Sequence, residues 1–119
     1  MQESKTELGR RGEDLAAAFL TGLGFEVLAR NWRCRAGELD LVATDGGRLV
    51  VCEVKTRTGA AYGHPAEAVT RAKAARIREL TRRWLAEHDT RWREVRFDVL
   101  AVHCPRGGEP VIEHLAGAF

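Results

Sequence analysis

The sequence predicts an α/β fold with a mixed central β-sheet flanked by helices, its elements in the order α-β-β-β-α-β-β. Three observations carry this. Apolar residues recur at helical spacing in two stretches, one near the start and one in the middle of the chain. Five shorter runs alternate or are continuously apolar, as strands are. The third of these runs reaches the fourth through the long middle helix, a right-handed crossover that makes those two strands parallel.

The elements follow in order. Leu8, Leu15, Ala16, Phe19, Leu20 and Leu23 mark a helix over about 6–23, with Thr6 as N-cap and Gly24 just past its end. Phe25–Arg33 reads as a strand with Phe25, Val27 and Ala29 on one face, and Arg35-Ala36-Gly37 as a turn. Glu38–Ala43 is a second strand, closed by the hairpin signal Thr44-Asp45-Gly46-Gly47. Leu49–Thr56 is apolar enough to belong in the middle of the sheet. Thr58–Pro65 is a loop, and Ala66–His88 a helix with the stripe Val69, Ile77, Leu80 and Trp84. Val95–Cys104 and Pro110–Leu115 complete the sheet across the turn Pro105-Arg106-Gly107-Gly108.

At 119 residues and 45% apolar content, the chain is expected to form one domain over 1–119, with a core that needs no staples. Cys34, Cys52 and Cys104 form no CxxC pair, which argues against a disulfide framework or zinc ribbon; Cys52 and Cys104 read as small core residues. His64, His88, His103 and His114 share no spacing that would bind zinc, and Trp32, Trp84 and Trp92 read as packing residues. The N-terminus lacks a signal-peptide pattern, and no apolar run approaches the ~20 residues of a membrane span, so the expectation is a cytoplasmic protein without a membrane partner. The net charge of +2 does not by itself argue for nucleic acid.

The chemistry concentrates in Gly37-Glu38-Leu39-Asp40-Leu41-Val42 and Val51-Cys52-Glu53-Val54-Lys55-Thr56-Arg57. Strand alternation puts Glu38 and Asp40 on one face with Leu39 and Leu41 on the other, and Glu53 and Lys55 on one face with Cys52 and Val54 opposite. If the strands pair, Asp40, Glu53 and Lys55 converge. Two carboxylates ~4–5 Å apart repel by roughly 3–4 kcal/mol at an effective dielectric of ~20, which a divalent cation offsets. That is the equipment of a Mg²⁺- (or Mn²⁺-) dependent phosphodiesterase. Arg96 and Asp98 share a strand face and read as a structural ion pair.

Asp40…Glu53-Val54-Lys55 resembles the PD-(D/E)xK nuclease motif, with Leu39-Asp40 where many members have Pro-Asp. The wider pattern runs through Gly9, Gly12-Glu13, Leu20, Gly24, Asn31, Arg33, Gly37-Glu38-Leu39-Asp40, Glu53-Val54-Lys55-Thr56-Arg57, Gly63, Glu67-Ala68-Val69, Lys73 and Arg96-Phe97-Asp98. It is similar to the YraN-like family of small bacterial proteins, relatives of archaeal Holliday-junction resolvases, over about residues 8–115.

The resemblance implies a restriction endonuclease-like fold and a metal-dependent endonuclease acting on structured or branched DNA, with a homodimer as the expected assembly. It implies Asp40 and Glu53 as Mg²⁺ ligands, the Val54 carbonyl as a third and the helical Glu13 as a further one. Lys55 would position the attacking water and stabilise transition-state charge, and Glu38 would be an outer or surface acid. Arg57, with Thr56, stands where a phosphate is held. Arg33, Lys73 and Arg76, from the basic runs before the active-site strand and on the long helix, are the other expected nucleic-acid contacts. The alternatives are a nucleic-acid-binding module that does not cut, and an interaction protein whose basic helix meets an acidic partner.

Overall fold

In the computed structural model, which describes residues 3–59, 69–89 and 91–119, the chain runs α1 (Lys5–Gly22), β1 (Glu26–Cys34), β2 (Gly37–Thr44), β3 (Leu49–Arg57), α2 (Arg71–Glu87), β4 (Val95–His103) and β5 (Val111–Leu115). The five strands form one mixed sheet in the order β1-β2-β3-β4-β5, antiparallel except for the parallel β3–β4 pair. The central strand is the one the sequence reads as most apolar. Its residues Leu49, Val50, Val51 and Cys52 are at most 1% exposed.

The helices lie on opposite faces. Ala16, Ala17 and Leu20 of α1 pack with Leu41, Ala43, Val50, Cys52, Leu100 and Val102. Ile77, Leu80 and Trp84 of α2 pack with Leu39, Val42, Leu49, Val51 and Phe97. Cys52 and Cys104 are core residues as expected, and Trp32 and Trp92 pack around the α2 cluster. Among the described residues no helix is long and apolar enough to cross a membrane.

Helix ends depart from the sequence reading in physically simple ways. The N-cap of α1 is Ser4, whose hydroxyl accepts the Glu7 N–H at 3.1 Å, and Thr6 lies inside the helix. Ser4 has the extended backbone that an N-cap needs (φ -72, ψ 164), whereas Thr6 already has helical backbone. Gly24, at φ +95, provides the left-handed residue that ends the helix. The second helix begins at Arg71, not Ala66, because Thr70 caps it by accepting the Lys73 N–H. The expected start at Ala66–Ala68 and most of the Thr58–Pro65 loop, with His64, lie outside the described residues.

The β1–β2 ribbon breaks strict alternation twice. A bulge between Val27 and Ala29 moves Ala29 to the α2 face, away from Phe25 and Val27. The second break faces the site. Asn31 has φ +51, in the left-handed region that Asn tolerates better than most residues. On one side of it Arg30 pairs with Leu41, and both face α1; on the other Trp32 pairs with Leu39, and both face α2. Leu39 and Leu41 therefore do not share a face as strand periodicity predicts. Asn31→Val should lower stability by about 1–2 kcal/mol, because a β-branched residue resists this conformation. Asn31→Gly should be nearly neutral, and chemical unfolding of both variants checks it.

At the other end of the sheet, Asp98 is fully buried and holds the C-terminal segment. Arg96 donates two hydrogen bonds to it at 2.8 Å, the Gly117 N–H donates at 2.9 Å, and His114 Nε2 lies 2.6 Å away. Burial pushes the Asp98 carboxyl upward, but these partners outweigh it and hold the group below its ordinary range. Arg96 and Asp98 form the expected structural pair.

Candidate metal centre

Asp40 sits where two strands part. The β2–β3 ladder ends at Leu41↔Cys52, and beyond it the Asp40 side chain takes over: the Val54 N–H donates to its Oδ2 at 2.8 Å. The carboxylate thus substitutes for a missing ladder carbonyl and is drawn against the backbone of β3. Asp40 is half-buried.

Acidic groups gather around it from three elements. Glu13 of α1, Glu38 and Asp40 each offer an oxygen, and the three oxygens lie within 4.8 Å of one another. Glu53, only 9% exposed, is close enough to repel Asp40 and to share a hydrogen bond with it. Burial, followed by that repulsion, pushes the Asp40 carboxyl up to about 7, against the opposing pull of the Val54 N–H. Among the described residues Asp40 has no cationic partner, whereas Glu53 is ion-paired with Lys73 and Glu38 with Arg33 at 2.6 Å.

Lys55 is two residues beyond Glu53 in the same strand, half-buried, and makes no ion pair or hydrogen bond among the described residues. Leu49 and Val51 of that strand face α2, and alternation puts Glu53 and Lys55 on the same side; Lys73 of α2 reaches Glu53 there. A hollow beside the acids is lined by Asp40, Glu53, Thr70, Lys73 and Arg76, and Arg76 is exposed in it. A neighbouring groove, lined by Lys5, Arg10, Glu13, Arg30, Arg33 and Glu38, approaches from the α1 side. The two depressions meet at Glu38.

The expected residues thus fall into two groups. Glu13, Asp40 and Glu53 come together around Asp40, with Lys55 on Glu53's strand face, and Arg33, Lys73 and Arg76 border them. Arg57 and Thr56 do not join them. Thr56 turns to the α1 face, where its side chain abuts Gly12, and Arg57 lines a separate hollow beside the start of α1. Strand alternation sends Thr56 away from Lys55, whereas Arg57, which alternation alone would return to the face of Lys55, is the last residue of β3 and lies beside α1. Glu38 stands nearer the centre than its outer-acid reading, with an oxygen within 4.8 Å of oxygens of Glu13 and Asp40. Much of the basic surface is internally neutralised: Arg82 and Arg83 pair with Glu79, Arg30 with Asp14 and Arg96 with Asp98.

Residues 12–102 match the uncharacterised protein family UPF0102. The chain belongs to this family. A UPF0102 protein of Frankia casuarinae is 60% identical over 116 residues, 98% of either chain. One from Beutenbergia cavernae is 57% identical over 114 residues, covering 96% of this chain and 97% of the relative. One from Clavibacter michiganensis is 54% identical over 112 residues, covering 94% and 95%. Membership bears out the YraN-like resemblance, and the UPF0102 match takes in every residue of the acidic constellation, from Glu13 to Lys55.

Proposed function

We propose that this UPF0102 protein is a divalent-metal-dependent endonuclease that hydrolyses phosphodiester bonds in structured or branched DNA. The observation that carries the reading is Asp40: a half-buried carboxylate without a cationic partner among the described residues, surrounded by Glu13, Glu38 and Glu53. Three carboxylate oxygens within 4.8 Å, from a helix and a strand, fit a hard oxygen-seeking cation such as Mg²⁺ or Mn²⁺. Asp40, Glu13 and Glu53 would hold it, with the Val54 carbonyl and Glu38 completing the oxygen set. When bound, such an ion supplies Lewis-acid stabilisation of a phosphoryl oxygen and makes a coordinated water more acidic.

The protein's own groups do the rest. Lys55, without a carboxylate of its own, orients the attacking water and balances charge on the reacting phosphate. Lys73 holds Glu53 in place through their ion pair. Arg76 draws the DNA backbone towards a centre whose acids would otherwise repel it. The same reading puts the protein in the cytoplasm, where the free thiols of Cys34, Cys52 and Cys104 remain reduced.

The test is a panel of labelled duplex, single-stranded, flap and four-way-junction DNA, incubated with Mg²⁺, Mn²⁺ or chelator, with Glu53→Gln alongside the wild type. Metal-dependent cutting that falls by on the order of 10²–10³-fold in the variant is expected. Salt-sensitive binding without cutting would instead favour a nucleic-acid-binding module. Binding to acidic proteins and not to DNA would favour the interaction protein.

A further inference from the structure

A separate hollow of about 620 Å³ opens between the start of α1, the end of β3 and the turn joining β4 to β5. Lys5, Arg11, Arg57 and Arg106 line it, together with the hydroxyl residues Ser4 and Thr58. Its one acidic residue among the described residues, Glu3, is taken by Arg11 through hydrogen bonds of 3.0 and 2.9 Å. Lys5 and Arg106 make no ion pair among the described residues. Leaving Arg57 out of the count, three cations against one acid leave the hollow at about +2 among the described residues. A concave wall of low dielectric concentrates that field, and an anion relieves the repulsion.

Its position relates it to the acidic centre. The four residue steps of β3 from Glu53 to Arg57 span about 13 Å at ~3.3 Å each. Lys5 also lines the groove that contains Glu13 and Glu38, so the two depressions meet at that residue. A DNA duplex carries one phosphate per strand every ~3.4 Å of its axis, so about 13 Å is some four base steps.

We propose that this hollow is a second anchoring site for the nucleic-acid backbone, holding a phosphate about four base steps from the bond that is cut. It rests on the nuclease reading above, but its residues lie outside the acidic centre. The hollow sets how tightly and in what register the substrate lies, and Lys55 and the acids act on the bond.

Lys5→Gln combined with Arg106→Gln tests it. Binding of labelled four-way-junction and duplex DNA is followed by fluorescence anisotropy in chelator over a series of salt concentrations. Thermal melting, and cleavage with Mg²⁺, accompany it. The variant should bind about ten-fold or more weakly, and its log–log salt slope should fall by up to about 2, one for each lost phosphate contact. Melting should be unchanged, and KM should rise while kcat holds. Substrates trimmed to two base pairs beyond the cut should no longer distinguish variant from wild type. Equal affinity and equal salt slope, with wild type binding DNA, would overturn this inference alone. A wild type that binds no DNA would overturn it together with the nuclease reading. A wild type that binds without cutting, beside a variant that has lost affinity, would support the hollow and remove the nuclease.

Discussion

Replacing Asp40 by Asn should stop metal-dependent cleavage and make the metal-free protein more stable. The two effects have one cause. In the folded protein burial and the nearby Glu53 push Asp40 up to about 7 from its ordinary value of 3.8. A folded-state value above the unfolded one means that the native state binds the proton more tightly. Stability is then full below about pH 4 and falls as pH rises through about 7, where folding traps an unwanted charge. A shift of this size corresponds to on the order of 4 kcal/mol, shared with Glu53 through their coupling. Asn carries no charge and keeps an oxygen to accept the Val54 N–H, so the variant should melt several degrees higher than wild type at pH 8 and show little pH dependence between 4 and 8. Added Mg²⁺ should stabilise the wild type at pH 8, as any ligand of the native state does, and leave the variant unmoved. Cleavage should fall by on the order of 10³-fold. A variant that melts well below wild type at pH 8 would mean that Asp40 is a structural anchor, and would remove the metal reading of this residue.

Gly12→Ala should be among the most damaging single-atom-scale changes in the protein. A Cβ built at Gly12 would lie 1.8 Å from Thr56 Oγ1, 2.6 Å from its Cγ2 and 2.7 Å from its Cβ. Rotating the Thr56 side chain cannot clear the last of these contacts, so α1 and β3 must move apart. The cost should be about 3–5 kcal/mol, in the range reserved for severe core disruption. The damage should also reach the centre, because Glu13 is the next residue on α1 and follows the helix as it lifts. Mg²⁺ should then stabilise the variant less than wild type. Thr56→Gly added to Gly12→Ala reopens the space and should recover much of the stability, which denaturant unfolding of the single and double variants measures. Failure of the double variant to recover would mean that the cost arises within the helix and not at this contact.

The order of the elements, the central place of β3 and the parallel β3–β4 pair were legible because they rest on apolar runs and on the crossover rule. So was the convergence of Asp40 and Glu53, since regular alternation governs Glu53 and Lys55. What escaped was where regularity fails. The ribbon turns at the left-handed Asn31, where the faces of Leu39 and Leu41 separate. Thr56 and Arg57 look adjacent to the site in the chain, yet they leave it: Thr56 because the next position along a strand points the other way, and Arg57 because, as the last residue of β3, it lines the hollow beside α1 and not the face that alternation assigns it. The hollow around Lys5 and Arg106 has no sequence signal at all, since its residues come from opposite ends of the chain. Partnering was equally hidden. Several arginines of the basic runs are spent on local carboxylates, and only the structure separates these from Arg76 and Lys5.

The sheet keeps its strands in chain order, β1 through β5. During synthesis each strand leaves the ribosome with its neighbour already made, and none has to thread between two that have joined. The acids Glu13, Glu38, Asp40 and Glu53 and the amine of Lys55 all lie within the first 55 residues, on α1 and the β1–β3 meander. Before α2 and β4 arrive to cover β3, that nascent half carries four carboxylates against a bare apolar strand. The later half of the chain thus covers the apolar face behind the acids, and the centre acquires its character only once α2 and β4 have been made.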